Sequence, residues 1–515
     1  MKMDEAKRHS MTGEPGRIVT EVLEAFQSSG IYLRDHVARL AELATSEDRE
    51  TSEQATGAFF TSLVERLADS FEPRAATLYN RAFAQLIQHC RGVDRSGAFH
   101  AELTKFGLAT EREILSRAES LRQRQAPAWL RQSGLRVRRI IVLSRVTLGA
   151  DVAITSVMIE RMKRAFPRAG VTLVGGRKAV ELFGGDARLS FKEISYLRAG
   201  ATLERLHAWV DVLGCVREMT CDLRPDQFLI ADPDSRLTQL GMLPLSGGEA
   251  ISDKSGSQSG GAKKQPEDKY LFFPSREYRS DTSQSLAQLT SAWLDDLFGF
   301  EELTYPQVSL APADLEVAGE VVKRIKRAGR PVVSINFGVG ENPLKRVGDD
   351  FETRLVNELL QEGSAIIFDK GAGEDETRRA NNVIGNAARI IREGRPVRVI
   401  EIDEENLRAF AGSDEVNADL IVWSGRIGML AALISESDLY IGYDSAGQHI
   451  AAALGVPSID VFAGFSSPRM LDRWRPTGKA ESRVVAVDKQ AIADTHAILS
   501  DVLRHAKEML KSSKQ

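Results

Sequence analysis

The chain is poor in cysteine, in long apolar runs and in any surplus of one charge sign, and each shortage removes a class of protein. Three cysteines in 515 residues, Cys90, Cys215 and Cys221, are too few and too scattered for a disulfide framework or a zinc site, and they fit a reducing compartment. Lys and Arg total 68 against 72 Asp and Glu, so the net charge of −4 lacks the basic surplus of a dedicated nucleic-acid binder. No stretch of about 18 apolar residues runs free of charge, and a transmembrane helix is not expected. The richest candidate, Ile140–Met158, is interrupted by Arg145 and Asp151. The opening Met-Lys-Met-Asp-Glu-Ala-Lys-Arg is polar with no apolar core behind it, so a cleavable signal peptide is not expected either. The expected location is cytoplasmic, with peripheral contact at the inner face of the membrane left open. What is there is an ordinary globular composition, 43% hydrophobic and 27% charged. The length suits roughly three domains.

The first of these, over residues 1–130, reads as helical. Val19, Val22, Leu23 and Phe26 recur at spacings of three and four, as do Phe60, Leu63, Leu67 and Phe71, and Tyr79, Phe83, Leu86 and Ile87. That period belongs to amphipathic helices, about four of them in a small bundle. His36, His89 and His100 are scattered and read as packing or surface residues. Near Arg136 the character changes. Ile140–Leu143 is a β-branched run, Asp151–Phe166 has helical spacing, and Val171–Val174 is a second strand. Strand, helix, strand at this spacing is a βαβ unit in a parallel sheet. Further apolar runs follow at Trp209–Leu213 and Gln227–Ala231. Between Ser246 and Ala262 ten of seventeen residues are Ser or Gly, and the segment 246–268 reads as a flexible loop inside a domain spanning 136–310. Order is expected to resume at Tyr270–Phe273, with a helix near Gln284–Phe298.

A second α/β pattern fills 311–485. Strands are expected at Val332–Asn336, Ala365–Phe368, Val399–Ile402, Leu439–Ile441 and Ser458–Phe462. Helices are expected at Phe351–Leu360, Thr377–Ala387, Met429–Ile434 and Ile450–Leu454, with a closing helix at Ile492–Met509 inside 486–515. Two Rossmann-like units behind a helical domain predict an interdomain cleft at the carboxyl ends of the strands.

The sharpest chemistry lies at the end of one of those strands. Asp438-Leu-Tyr-Ile-Gly-Tyr ends at Asp444, and Ser445-Ala446-Gly447-Gln448-His449 turns into a helix that runs to Gly455-Val-Pro457. Free backbone donors and the positive end of the helix dipole favour an anion there. Ser445 adds a hydroxyl and His449 a further donor; Asp444 or Ser445 acting only as a helix cap is the plainer alternative. Earlier in the chain, Gly338-Val339-Gly340 follows a strand and precedes Lys345, a cation suited to a diphosphate. Asp232-Pro233-Asp234 also follows a strand-like run, where Asp-x-Asp can hold a divalent cation, but Ser235-Arg236 beside it favours a turn or a role toward the acceptor.

These segments together resemble glycosyltransferase family 9, the heptosyltransferase type. The family's usual Asp-Ser-Gly-Pro-Met-His stands here as Asp444-Ser445-Ala446-Gly447-Gln448-His449, and the trailing Ala-Ala-Ala-Leu-Gly-Val-Pro is intact. Ser466, Pro468 and Trp474-Arg475-Pro476 fit the downstream pattern, and the resemblance spans roughly 137–485. It implies the GT-B fold: α/β, with two Rossmann-like domains facing a cleft, here preceded by an all-α helical domain. It further implies inverting, metal-independent transfer of a heptose or related sugar from a nucleoside-diphosphate donor, with ADP-heptose as the family default, to a glycan, glycolipid or protein acceptor. No cofactor and no metal are expected.

By that resemblance the donor would be held by Gly338, Gly340, Lys345, Glu374 of the run Gly373–Glu376, Gly425, Arg426 and Asp444–His449. Asp151 stands where the family's Gly-Asp-Val turn carries its general base, and Lys345 joins it as the second catalytic residue. Here Ala150 is inserted between Gly149 and Asp151, which either shifts the carboxylate or only stretches the loop, and Asp151 also fits a helix cap. Arg145 and Arg236 would face an anionic acceptor, or form structural ion pairs. The basic residues Arg122, Arg124, Arg131, Arg136, Arg138 and Arg139 would meet lipid headgroups or acceptor phosphates, or form a solvated face. The helical domain would serve a homo-oligomer or a protein partner. Two other readings stay open: a sugar-nucleotide epimerase on the same fold, and a catalytically silent nucleotide-sugar-binding or scaffold protein.

Overall fold

The computed structural model describes residues 13–123, 130, 136–196, 200–246, 269–326, 329–340, 342–392, 394–412, 418–488 and 494–512. Arg124, Arg131 and nearly all of the Ser/Gly segment lie outside these residues. The N-terminal helical region has six helices among the described residues, more than the periodicity suggests. They are Glu14–Ser29, Arg34–Ala44, a rod from Arg49 to Asp69, Pro73–Val93, Ala98–Lys105 and Glu111–Gln123. The shortest of them span too few turns for a period to register. The rod carries a π-helical turn over Ala58–Glu65. Its Phe59 and Phe60 pack edge-on against Phe83 of the long fourth helix, at centroid distances of 5.5 and 5.7 Å.

The first sheet is parallel, with strand order β3-β2-β1-β4-β5. Its strands are β1 Arg139–Leu143, β2 Gly170–Gly175, β3 Leu189–Glu193, β4 Phe228–Asp232 and β5 Tyr270–Phe272. Successive side chains of a strand point to opposite faces. Ile140 and Val142 accordingly pack with the helices Ser156–Ala165 and Leu286–Phe298, whereas Ile141 and Leu143 share a core with the N-terminal helices. The helical region thus covers one face of the first sheet, together with the helix Thr202–Thr220. The apolar run Trp209–Leu213 belongs to that helix, because Leu206, Trp209, Leu213 and Val216 are buried at helical spacing.

The second sheet contains β6 Val332–Asn336, β7 Ala365–Asp369, β10 Val399–Asp403, β11 Leu420–Ser424, β12 Leu439–Tyr443, β13 Ser458–Ala463 and β14 Ser482–Val487, with a separate short hairpin of β8 Ile391–Arg392 and β9 Arg395–Pro396. Its order is β10-β11-β7-β6-β12-β13-β14, all parallel. One face packs on the helices Asp349–Gln361, Glu374–Ala387 and Thr495–Ser512. The other packs on Pro312–Lys326, Ile427–Ser435 and Ala446–Leu454, and its core is continuous with that of the first unit. Strands β3, β11 and β14 were not evident as strands from sequence. Two of them are edges, where alternation is blurred by exposure.

In each sheet the chain reverses winding beside the central strand, at β1/β4 and at β6/β12. The loops beyond those carboxyl ends therefore face one another, which is where an open α/β sheet places its ligand. Beneath the second crevice Asp460 is fully buried on β13 and accepts one hydrogen bond, from Ser458 Oγ at 2.8 Å. Burial, with the nearby Asp444 charge adding to it, pushes its carboxyl from 3.8 up to about 8. A carboxyl that keeps its proton when folded stabilises the fold at low pH and loses that contribution as pH rises from 3.8 toward about 8. Asp460→Asn should therefore raise the melting temperature several times more at pH 8.5 than at pH 5, in thermal scans of both proteins. An equal shift at both pH values would show that the charge is not the cause.

Candidate active site

The two sets of loops and the N-terminal rod enclose a cleft of about 680 Å³. On the second unit β12 delivers Asp444 at its end, and Ser445 opens the helix Ala446–Leu454. Ser445 forms no capping bond, so its hydroxyl is not spent on the helix it precedes. The start of that helix, with its unpaired first-turn amides, borders the cleft, which Ser445, Ala446, Gly447 and His449 line. Gly447 is required by what lies behind it: a Cβ there would sit 2.0 Å from the Tyr440 hydroxyl. Gly149 plays the matching part on the first unit. A Cβ on it would stand 3.2 Å from the His449 ring and 3.3 Å from Ala446 Cα, so a glycine lets the two units close to backbone distance.

Lys345 reaches across from the loop beyond β6. Its Nζ is 2.5 Å from Asp444 Oδ2, and Gln448 Nε2 donates to the other carboxylate oxygen at 2.9 Å. Burial disfavours the Lys345 charge, but Asp444 outweighs it and holds the ammonium above its ordinary value. Burial pushes the His449 imidazole down to about 4 against the pull of Asp444, so the ring is neutral at physiological pH. The cleft wall on this side thus presents one ammonium and a helix start, both suited to an anion.

Gly338, Gly340, Gly425 and Arg426 also line the cleft, as the sequence reading expects. Arg426 is already engaged: its guanidinium pairs with Asp314 and with Glu404 at 3.2 Å, and the residue stands just before the helix Ile427–Ser435. Gln448 does not reach the cleft; it is fully buried and fixes Asp444 from behind. The expected contact at Glu374 is also displaced. Glu374 is the exposed first residue of its helix, while Glu376 turns back to accept from Ala372 N at 2.9 Å and Val339 N at 3.2 Å. Glu376 therefore lines the cleft where Glu374 does not, with Asn336 and Asp369 beside it. Burial raises the Asp369 carboxyl to about 6.

On the first unit the expected base is enclosed. Asp151 is 2% exposed and its two oxygens accept from Ser144 Oγ at 2.6 Å, Arg145 N at 2.7 Å and Thr155 Oγ1 at 2.8 Å. It closes the turn after β1 and does not line the cleft. The inserted residue explains this. Asp151–Thr155 forms a π-helical turn that takes up one extra residue, so the position directly after Gly149, which does line the cleft, is held by Ala150.

Arg145 and Arg236 line the cleft; Arg236 is ion-paired, whereas Arg145 is held by neutral acceptors. Arg145 donates to Pro233 O at 3.1 Å and Ser275 Oγ at 3.2 Å, and Arg236 pairs with Glu65 of the helical region. Asp232 and Asp234 are internal struts. Asp232 accepts from Ser235 N, Thr238 Oγ1 and Tyr270 OH, and Asp234 accepts from Ser275 Oγ at 2.6 Å. Arg122 of the basic stretch is likewise buried, paired with Glu277 at 2.8 Å rather than offered to a surface. Among the described residues no group of three or more His, Cys, Asp or Glu is arranged to hold a metal ion, and no helix is long and apolar enough to cross a membrane.

The sequence reading has no counterpart for the third wall. The rod of the helical region brings Glu65 and Asp69 to the cleft, with Phe60, Tyr79 and Phe83 around them. The one available signal was two carboxylates four residues apart on a helix with an apolar face.

Residues 404–498, which include the Asp444–His449 turn, match the sequence model of glycosyltransferase family 9 (heptosyltransferase). No curated protein matches the chain. Among solved structures, a family 9 glycosyl transferase from Veillonella parvula is similar at 15% identity, with a TM-score of 0.50 over 73% of this chain and 98% of that one. At that identity the likeness shows a shared fold. The E. coli ADP-heptose lipopolysaccharide heptosyltransferase II is 13% identical, with a TM-score of 0.46 over 73% of this chain and 100% of its own. The E. coli heptosyltransferase WaaC with ADP is 13% identical, with a TM-score of 0.42 over 72% and 99%.

Proposed function

We propose that this glycosyltransferase moves a heptose or related sugar from a nucleoside diphosphate, ADP by family default, to a hydroxyl of a glycan, glycolipid or protein. The observation that carries the reading is Lys345 held beside the unblocked start of the helix Ala446–Leu454, inside the segment that matches the family. In the transition state the bond from the anomeric carbon to the diphosphate breaks, and negative charge gathers on the leaving oxygen. A preorganised ammonium and backbone amides stabilise that charge without reorganising at the moment of reaction. This supply of positive potential requires no divalent cation. The acceptor hydroxyl attacks from the face opposite the diphosphate, and the anomeric centre inverts. The shared core of the two units holds the two sets of loops facing one another, so donor and acceptor would meet between them.

A second reading, binding of a nucleotide sugar without turnover, is favoured by one observation: Asp151 is turned away from the cleft. The two separate in one experiment. ADP should raise the melting temperature in the presence of EDTA, and ADP-heptose incubated with the protein should release ADP. A protein that is stabilised by ADP but never releases it from ADP-heptose is a binder. One that ADP does not stabilise is neither.

A further inference from the structure

Transfer by the proposed reaction requires a proton acceptor on the acceptor side of the cleft, and the turn that should supply it carries Ala150 there, with Asp151 caged behind. Two carboxylates on the N-terminal rod face the same space. Glu65 is committed to Arg236. Asp69, one helical turn further on, is half-buried, and its carboxylate makes no hydrogen bond or ion pair among the described residues. The end of the rod is anchored to the opposite wall. Phe71 stacks edge-on against Trp474 at 6.1 Å, and Arg469 donates to the Phe71 carbonyl at 3.1 Å.

We propose that Asp69, delivered by the helical region, is the catalytic base of this site; the assignment rests on the glycosyltransferase reading above. As the acceptor oxygen bonds to the anomeric carbon, its proton passes to the Asp69 carboxylate, and the electron pair of the breaking bond leaves with the nucleoside diphosphate. The charged groups around Asp69 come from all three walls. They are Glu65 on its own rod, Arg145 and Arg236 on the first unit, and Lys345 and Asp444 on the second. Burial, opposed by Arg236 and Lys345, holds the carboxyl above the ordinary aspartate value, which brings it closer to the range in which a base is both ionised and effective. The helical region is then a working part of the active site rather than an appendage.

The test uses the full chain, ADP-heptose as donor and water as acceptor, with ADP release as the readout. Asp69→Asn should lower kcat about 100-fold or more while KM for the donor and the affinity for ADP stay near wild type. The wild-type rate should fall as pH drops and the base is protonated, and Asp69→Asn should lose that acid limb. Asp69→Glu, which keeps the carboxylate, should recover part of the rate and the limb, and thermal melting of both variants reports folding. A folded Asp69→Asn within about threefold of wild type, or one that keeps the acid limb, overturns the assignment while leaving the transferase reading intact. So does an Asp151→Asn that stays folded and alone removes the limb. Wild-type protein that releases no ADP overturns both.

Discussion

Lys345→Ala is expected to weaken ADP binding at least about tenfold and to lower turnover of ADP-heptose by about 100- to 1,000-fold, the cost of removing one preorganised donor from a developing anion. Two effects combine. The variant loses the ammonium that the loop beyond β6 brings beside the Ala446–Leu454 helix start, and it leaves Asp444, 6% exposed, without its 2.5 Å partner. An uncompensated carboxylate where the diphosphate should lie repels the ligand as well as failing to attract it. Stability should also fall, by about 1–3 kcal/mol, because Gln448 alone then satisfies Asp444. Asp444→Asn separates the terms: it keeps the ammonium and removes the buried charge, so ADP binding should survive while Lys345 loses its anchor. Calorimetric titration of ADP into the three proteins reads all of this. Unaltered ADP affinity in Lys345→Ala would mean that the nucleotide lies elsewhere.

Much of the cleft wall on the second unit was legible in the sequence because it is local. The strand Leu439–Tyr443 is buried throughout, Asp444 stops it, and small residues begin a helix, so strand end and helix start follow from adjacent residues. Errors arise where a side chain's direction depends on helix phase or on distant packing. Glu374 and Glu376 lie in one acidic run, and only the phase of the helix sends the second back toward Val339 N. Asp151 carries the expected residue type, but an insertion taken up by a π-helical turn points it away from the cleft. Glu65 and Asp69 were invisible as site residues because nothing local says that their helix will close a crevice between two sheets formed much later in the chain. The helical region was recognised by its period, and its partner could not be, since the apolar faces of β1 and β4 read the same whichever helices cover them.

That covering makes removal of the helical region the change with the largest expected effect on folding. Expressed without residues 1–130, the chain should fail to accumulate as a soluble monomer, and supplying 1–130 as a separate polypeptide should restore it. Ile141, Leu143, Val174 and Ile230 of the first sheet, with Trp209 of the helix beside it, belong to the same core as Phe59, Phe83 and Leu86. Stripping away the helices exposes a contiguous apolar face far larger than soluble monomers tolerate. The polar ties across the boundary would be lost with it. Thr56 Oγ1 meets Thr202 Oγ1 at 2.7 Å, Arg122 pairs with the half-buried Glu277 at 2.8 Å, and Glu65 neutralises Arg236. Their partners Thr202, Glu277 and Arg236 would then meet water, so the uncovered apolar face carries most of the cost. A truncated chain that stays monomeric and melts cooperatively near the temperature of the intact protein would show that the sheet is covered well enough without the helices. If it also retained turnover of ADP-heptose, Asp69 could not be the base. A helix bundle that only docked a partner could be cut away without harm; one that completes a sheet's core and supplies a wall of the cleft cannot.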